Sequence, residues 1–311
     1  MYVIAGVSGN TGSVVASTLL AAGARVRVIV RDAAKGERWR AQGADVAIAD
    51  LDDQAALTRA LTGATGAYLL LPPPGWGATG IAAERRAKIA AISGAVAAAR
   101  PAHVVFLSSI GAELPSGTGP IVHVHHAEHA LRDTGVPVTF LRPSYFMENW
   151  GGMIPGALGA GALYYGVGDG VAWEQVATAD IGKTAAKLLQ AGPSGARVVE
   201  LAGPAPATLA DVAARISEAA GKPIQAVSVP PAAMVQALVG MGASTELAES
   251  FGELAGAITA GQLRFHGTPV RGTVTPDSTA ARITDVPAGT VTVLPSIWSV
   301  TVVSAAAAGV P

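Results

Sequence analysis

The chain opens with M-Y-V-I-A-G-V-S-G-N-T-G, residues 1–12, and this stretch decides the fold. An apolar run typical of a buried strand leads into three glycines, Gly6, Gly9 and Gly12, and a predicted helix begins at Asn10. At such a position the first glycine permits a tight turn, and the second lets the backbone approach a pyrophosphate. The third permits close packing of helix on strand, while the helix N-terminus presents free N–H groups. The stretch therefore predicts a dinucleotide-binding strand–turn–helix unit. Further donors to the phosphates are Ser8, Asn10 and Thr11.

Strand-like and helix-like segments alternate through the first 150 residues. The predicted strands are Val3–Val7, Val26–Val30, Asp45–Ala49, Ala67–Leu71, Val104–Leu107 and Val138–Leu141. The predicted helices are Asn10–Ala22, Lys35–Ala41 and segments near 53–62, 79–99 and 122–134. Such alternation indicates βαβ units, which form a parallel sheet with helices on both faces. We therefore expect an α/β fold built on a doubly wound parallel sheet of the Rossmann type.

After Trp150 the alternation becomes less regular. Residues 151–170 are rich in Gly, Leu and Tyr and carry one charge, Asp169. The elements predicted beyond it are a helix over Asp180–Leu189, a strand over Arg197–Leu201 and a capped helix from Thr208 to about Ala220. We expect residues 1–150, with contributions from about 174–203, to form the cofactor domain. Residues 151–311 are expected to form a smaller α/β C-terminal substrate lobe with an apolar tail.

The composition excludes several classes of protein. The 311 residues include no cysteine, so disulfide scaffolds and Cys-ligated metal sites are excluded. A net charge of −1 argues against a dedicated nucleic-acid-binding protein, which would carry a basic excess. Half of the residues are hydrophobic, which argues against intrinsic disorder. We expect a cytoplasmic protein that binds no nucleic acid.

A charged fraction of 14% and a mean hydropathy of +0.42 raise the question of a membrane. Two long stretches carry no charge, Pro223–Thr245 and the tail from Val286 onward. Prolines and glycines interrupt both stretches, and neither leaves the roughly 20 unbroken apolar residues that a membrane-spanning helix needs. We therefore expect no membrane association, and we take the uncharged tail as a candidate contact surface of a homodimer.

The end of the second predicted strand indicates which dinucleotide is bound. NAD-dependent proteins usually place Asp or Glu there for the ribose 2′-hydroxyl, whereas NADP requires a cation for the 2′-phosphate. This chain has Arg31 at that point and Lys35 one helical turn later, which favours NADPH. The alternative is that these residues belong to a solvated helix face, and Asp32 leaves NAD open. Asp50 and Leu51, which end the third strand, are expected to flank the adenine.

Further segments resemble the NmrA-like atypical short-chain dehydrogenases. They are Val30-Arg31-Asp32, Gly43–Val46, Ala49–Asp53, Ala67–Pro72, Phe106–Ala112, Leu141–Asn149, Ala179–Gly182 and Glu200–Pro204. The similarity covers about residues 1–265 and implies an NAD(P)-binding Rossmann fold with a small C-terminal substrate lobe.

The resemblance also implies roles for individual residues. Those expected to hold the pyrophosphate are Gly6, Gly9, Gly12 and Thr11, and those for the 2′-phosphate are Arg31 and Lys35. Those expected along the path to the nicotinamide are Leu70, Leu71 and Pro72, with Ser108 and Ser109 beside the ribose. Those expected to meet the nicotinamide are Pro143, Ser144, Tyr145 and Phe146.

Ordinary short-chain dehydrogenases carry a Tyr-x-x-x-Lys pair on the helix after the fifth strand. The tyrosine protonates the alkoxide that hydride transfer creates. Here that helix reads I-V-H-V-H-H-A-E-H-A-L (121–131) and has neither residue. The family often lacks the pair too. A simple ketone needs a strong proton donor, whereas a quinone, an iminium or a resonance-stabilised carbocation accepts hydride with little help. The sequence therefore favours acceptors of the second kind.

Four of the six histidines lie within residues 123–129 and suggest three interpretations. His125 is a candidate general acid, since an unperturbed histidine titrates near pH 6.5. The pattern His125-His126-Ala127-Glu128-His129 also matches the inverted zinc-peptidase motif, but no third ligand is evident and we predict no metal. The remaining interpretation is a polar helix face without chemistry. The candidate catalytic residues are His125, Tyr145 and Ser109, with Tyr145 placed either in the site or in packing.

Two functions from different classes follow. The first is an NADPH-dependent reductase that transfers hydride to a small, apolar, conjugated electrophile of the quinone, imine or iminium, or enone type. The second is a non-catalytic NAD(P)-sensing regulatory protein of the NmrA type that binds a protein partner. The missing proton donor favours the second, and the weakly charged C-terminal segments favour an apolar or aromatic substrate.

Overall fold

A computed structural model of the chain describes residues 1–194 and 197–275, and a large parallel sheet runs through its centre. The strands are β1 (Tyr2–Ile4), β2 (Val26–Val30), β3 (Asp45–Ile48), β4 (Gly66–Leu70), β5 (Val104–Leu107), β6 (Val138–Pro143), β7 (Tyr145–Phe146), β8 (Ala162–Tyr165), β9 (Gln175–Val176), β10 (Arg197–Ala202), β11 (Gln225–Ser228) and β12 (Val270–Arg271). Eight of them form the central sheet in the order β12-β10-β6-β5-β4-β1-β2-β3, and all neighbours pair in parallel. The order 3-2-1-4-5-6 within it is that of a doubly wound Rossmann sheet.

Helices cover both faces of this sheet. They are α1 (Asn10–Ala21), α2 (Ala33–Arg40), α3 (Gln54–Leu61), α4 (Ile81–Ala99), α5 (Ile121–Arg132), α6 (Ile154–Ala160), α7 (Thr178–Ala191), α8 (Leu209–Ala220), α9 (Pro231–Gly240) and α10 (Thr245–Thr259), with a 3-10 helix at Met147–Gly152. The Rossmann sheet and the alternating elements predicted from the sequence are thereby confirmed.

Two apolar cores lie on opposite faces of the sheet because successive strand residues point to opposite sides. On β1, Val3 packs into the core beneath α3, α4 and α5, whereas Ile4 packs into the core beneath α1 and α7. The same division separates Phe106 from Val105 on β5. Burial on both faces explains why these strands are almost entirely apolar.

Helix α7 joins the Rossmann unit although it follows the predicted boundary at residue 150. It packs against α1 through Gly182, where a Cβ atom would lie only 2.5 Å from the Cβ of Val14. The strand after α7, β10, pairs with β6 and extends the sheet. The division of the chain into two domains stays a prediction, and the expected contributions from about 174–203 lie where α7 and β10 are found.

The remaining elements build a smaller layer at the carboxyl end of the sheet. Strands β8 and β11 pair in parallel, and a third apolar core lies among α6, α8, α9 and α10. Helix α8 begins with the reciprocal hydrogen bonds of a capping box between Thr208 and Asp211. Across the described residues, no helix combines the length and apolar character needed to cross a bilayer. The uncharged tail from Val286, with its predicted dimer contact, lies outside the described residues.

Candidate functional site

The backbone conformation and close packing of the glycine-rich turn between β1 and α1 leave no room for side chains at Gly6 and Gly12. Gly6 has φ +70°, and its carbonyl accepts from the N–H of Gly9 over 2.9 Å. A Cβ atom on Gly12 would lie 2.5 Å from the carbonyl oxygens of Ala5 and Gly6. Within the described part of the chain, no side chain caps the N-terminus of α1. The first N–H groups of α1 are therefore available to an anion.

A first cavity of about 520 Å³ opens above this turn, at the carboxyl ends of the strands. The residues predicted to bind the cofactor that line it are Gly6, Ser8, Gly9, Asn10, Thr11, Arg31, Asp50, Leu51, Leu70, Pro72 and Phe146. The turn, the end of β2 and the end of β3 therefore share one cavity. Gly12, Lys35 and Pro143 lie outside its lining, Gly12 because it is packed beneath the turn.

Two arginines and an aspartate shape the end of this cavity near β2. Arg31 is exposed at the cavity rim. Arg38, which the sequence analysis did not single out, reaches back from α2 and donates to the carbonyl of Val7 over 2.6 Å. Asp32 accepts from the N–H of Ala34 over 2.9 Å and so caps α2. Asp32 lies outside the cavity lining and its carboxylate is engaged by this cap, whereas Arg31 lines the cavity.

Buried charged residues form the wall opposite the turn. The ammonium of Lys88 forms ion pairs with Asp52 and Glu84, and the guanidinium of Arg85 pairs with Glu84 and donates to the carbonyl of Pro72. Lys88 and Arg85 are almost fully buried although they are cations. Sequence reasoning missed this cluster because Asp52 and α4 lie far apart along the chain and no local pattern links them.

A second cavity of about 520 Å³ continues from the first. The two share Pro72, Arg85, Phe146 and Asn149 in their linings, so they are contiguous. The other predicted site residues that line the second cavity are Leu71, Ser108, Ser109, Ser144 and Tyr145. Of the residues expected to meet the nicotinamide, Ser144, Tyr145 and Phe146 are therefore brought together at the junction and in the second cavity, whereas Pro143 lies outside both linings.

Beneath this junction lies a buried ion pair. Arg142 donates through Nε and Nη2 to the carboxylate of Glu128 at 2.8 Å each, and through Nη1 to Glu113 at 2.7 Å. Glu128 is 2% exposed and Arg142 is 7% exposed. Burial alone would lower the pKa of Arg142, but the hydrogen bonds and charge of Glu128 and the charge of Glu113 raise it overall. Arg142 is therefore charged, and these hydrogen bonds fix it in place.

Glu128 also determines what Ser108 does. The hydroxyl of Ser108 donates its hydrogen to Glu128 over 2.6 Å. Because that hydrogen is used, Ser108 can only accept a hydrogen bond from a ligand in the cavity. The hydroxyl of Ser109 donates to the carbonyl of Ile110 over 3.0 Å. Glu128 was noted in the sequence within the H-x-x-E-H pattern, and its carboxylate serves here as the partner of Arg142. Among the described residues, no group of three or more histidine or acidic side chains could hold a metal ion.

The histidine that lines the second cavity is His123. His125, the predicted acid, has its Nδ1 atom 2.8 Å from the carbonyl oxygen of Ala112 and its ring 4.6 Å from that of His129. It lies outside the first and second cavities as their described linings define them. Burial, followed by the charge of Arg85, lowers the pKa of His123. His123 is therefore neutral at neutral pH and offers one N–H donor to the cavity.

Tyr145 both lines the second cavity and packs in an aromatic cluster. Its hydroxyl accepts from that of Tyr165 over 3.2 Å, and its ring centroid lies 5.5 Å from that of Trp150 and 6.2 Å from that of Trp173. Burial raises the pKa of Tyr145 well above its usual value and that of Tyr165 to about 12. Both phenols are therefore protonated at physiological pH, and Tyr145 presents a neutral O–H group at the cavity wall.

A parallel sheet in this strand order, with a glycine-rich turn and a cavity at its carboxyl edge, defines a Rossmann-type dinucleotide-binding protein. The chain belongs to the NmrA-like family, whose sequence profile matches residues 2–264, and this confirms the resemblance seen in the sequence.

Individual relatives are similar over most of the chain. The chain is 28% identical over 255 residues to an NAD(P)H azoreductase of Xenophilus azovorans, covering 82% of this chain and 86% of that protein. It is 32% identical over 228 residues to a (4-alkanoyl-5-oxo-2,5-dihydrofuran-3-yl)methyl phosphate reductase of Streptomyces griseus, covering 72% and 76%. Its structure is similar to that of an NADPH-dependent quinone oxidoreductase, QOR2, of Escherichia coli complexed with NADPH. The TM-score is 0.78 at 28% identity, over 91% of this chain and 99% of that one.

Proposed function

We propose that this protein is an NADPH-dependent reductase that transfers hydride to a small, apolar, conjugated electrophile of the quinone, imine or iminium, or enone type. The observation that carries the proposal is that the two cavities adjoin and share Phe146 and Asn149 in their linings. A dinucleotide above the glycine turn extends along the first cavity, so that its nicotinamide reaches the mouth of the second, where an apolar acceptor has room. The relatives support this, since their names specify NAD(P)H-dependent reduction of azo compounds and quinones and reduction of an unsaturated lactone.

The residues present fit NADPH. The turn at Gly6 and Gly12 leaves no side chain over the uncapped N-terminus of α1, as a pyrophosphate requires. Arg31 would hold the 2′-phosphate, with Lys35 nearby on α2, and Asp50 and Leu51 would flank the adenine. When bound, NADPH supplies the hydride. The chain itself positions the dinucleotide, excludes bulk water with Phe146 and Pro72, and shapes the space for the acceptor.

Proton delivery needs little from this site. A conjugated acceptor spreads the charge that hydride brings, so a weak hydrogen-bond donor is sufficient to stabilise it. His123 and Tyr145 are neutral donors at the second cavity. We infer that one of them contacts the acceptor and that His125, outside both cavities, does not. At least one of the substitutions His123→Phe and Tyr145→Phe should therefore lower kcat more than His125→Phe does, measured with one quinone across pH 5 to 9.

The decisive experiment separates the reductase from a regulatory NAD(P)-binding protein. NADPH is titrated against the pure protein, and absorbance at 340 nm is then followed with a panel of quinones, cyclic imines and enones. The proposal predicts saturable oxidation of NADPH by at least one acceptor. Tight binding of NADPH without turnover on any acceptor would instead indicate the regulatory function.

A further inference from the structure

A third cavity of about 450 Å³ lies beside the second, between α6, β8 and α9. Its walls are mainly apolar, and they include Met153, Ala157, Leu163, Met234, Leu238 and Phe251. Apolar cavities with few polar groups favour hydrocarbon parts of a ligand, since apolar surface removed from water is stabilising. Neither the glycine turn nor the residues expected around the nicotinamide ribose line it.

The third cavity adjoins the second. Tyr145, Asn149 and Leu254 line both cavities. At this wall the hydroxyl of Tyr165 donates to that of Tyr145 over 3.2 Å, so the O–H of Tyr165 is already paired. A ligand whose reactive ring lies in the second cavity can therefore place a substituent in the third.

The outer edge of the third cavity is formed by apolar side chains that are unusually exposed. Tyr164 is 55% exposed and Met241 is 57% exposed. Trp76, from the segment before α4, donates its indole N–H to the carbonyl of Met241 over 3.1 Å and joins that segment to the end of α9. A long substituent that fills the cavity would cover this exposed apolar surface as well.

We propose that the third cavity is a subsite for an apolar extension of the electrophile, an alkyl chain or a further aromatic ring. This inference rests on the proposed function for the position of the reactive ring. Each methylene fully transferred from water into such a cavity strengthens binding by about fourfold. The protein should therefore prefer alkyl-substituted conjugated acceptors over their short counterparts.

The test compares 2-hexyl-1,4-naphthoquinone with 2-methyl-1,4-naphthoquinone on the wild-type protein and three variants. In Gly156→Phe the new side chain starts at the cavity wall, where a Cβ atom would meet open space. Gly159→Phe is the matched control, since Gly159 is equally exposed and open on α6 but lies outside the cavity lining. Ala237→Phe, on the opposite wall, serves as a second filling variant should Gly156→Phe fail to fold.

Binding is measured by quenching of tryptophan fluorescence without NADPH, and turnover is measured at 340 nm with it. We expect wild type and Gly159→Phe to bind the hexyl compound at least about tenfold more tightly than the methyl compound. Gly156→Phe should lose this preference while its affinity for the methyl compound stays within about twofold of wild type. No chain preference in the wild type, or a preference that survives both filling variants, would overturn the subsite.

Failure of the proposed function has a different signature. In that case wild type would still bind the hexyl compound more tightly than the methyl compound, and Gly156→Phe would lose this preference. Neither quinone, however, would oxidise NADPH.

Discussion

Arg31 provides a sharp test of how the cofactor is held. It is exposed at the end of β2 and lines the first cavity, while the neighbouring Asp32 is engaged as the cap of α2. The change Arg31→Ala removes one positive charge from the position where a 2′-phosphate would lie. It removes no buried contact, so the fold and the glycine turn should be unaffected.

The magnitude follows from the exposure of Arg31. A phosphate monoester carries a charge of about −1.5 to −2 at pH 7. Two unit charges 4 Å apart interact by about 1 kcal/mol in water and about 4 kcal/mol in a partly shielded site. Because Arg31 is exposed, we take the lower value of about 1 kcal/mol per pair of unit charges. With a phosphate charge near −2, the loss of Arg31 then costs about 2 kcal/mol, which is about a 30-fold loss of NADPH affinity. NADH lacks the phosphate, and its affinity should change by less than about threefold.

Calorimetric titration of each variant with NADPH and with NADH measures the ratio of the two dissociation constants. Arg59→Ala is the matched control, because Arg59 is also an exposed arginine but lies on α3 outside the first cavity. The NADPH effect of Arg31→Ala should shrink as salt is raised, since the Debye length falls to about 10 Å at 0.1 M. Equal weakening of both cofactors would refute the assignment of the 2′-phosphate to Arg31.

Three further predictions concern stability. Glu128→Gln removes the two-pronged buried partner of Arg142 and leaves its ion pair with Glu113, so urea denaturation should show a loss of about 3 kcal/mol, the low end for a broken buried pair. Gly182→Ala places a Cβ atom 2.5 Å from Val14, and the same assay should show a loss of about 1–3 kcal/mol as α1 and α7 are forced apart. Burial, and then the charge of Arg197, lower the pKa of His103, so its neutral form stabilises the fold above about pH 6.5. This stability should decrease on acidification below pH 6.5, by at most about 1.4 kcal/mol per pH unit, and His103→Gln should remove that part of the pH dependence.

Each of these has a control and a contradicting result. Glu113→Gln should lower the free energy of unfolding less than Glu128→Gln, because Glu113 is more exposed. Equal losses would contradict the argument that the buried pair of Arg142 with Glu128 is the stabilising one. Gly159→Ala, in open space on α6, should stabilise by up to about 1 kcal/mol, so a loss there would discredit the packing argument at Gly182. If the free energy of unfolding depends on pH in the same way for His103→Gln and wild type, His103 does not contribute to the loss of stability in acid.

The fold was predictable because its signals are local. The turn at Gly6–Gly12 and the alternating periodicities each report on a few consecutive residues, and parallel strands buried on both faces are apolar almost throughout. Arg31 was proposed as a cofactor residue for the same reason, since it directly follows β2. The substrate side was less accessible, because β7, β9 and the 3-10 helix are too short to leave a periodic pattern.

The pairs that shape the site are long-range and have no sequence signature. Glu128 and Arg142 lie on α5 and β6, and Lys88 and Asp52 come together from α4 and the end of β3. Helical spacing alone could not tell whether His123 or His125 lines the cavity. Both are half-buried on α5, and which of them reaches the cavity depends on the strand ends that face the helix. Only the assembled sheet brings His123 to the second cavity.

The central claim is that hydride passes from NADPH to a conjugated acceptor held in the joined cavities. It is tested most directly with NADPH deuterated at both C4 positions and an enone or cyclic iminium acceptor, followed by mass spectrometry and NMR of the product. We predict one deuterium per product molecule, at the carbon β to the enone carbonyl or at the former iminium carbon. An unlabelled product, or bound NADPH that reduces no acceptor, would contradict the claim.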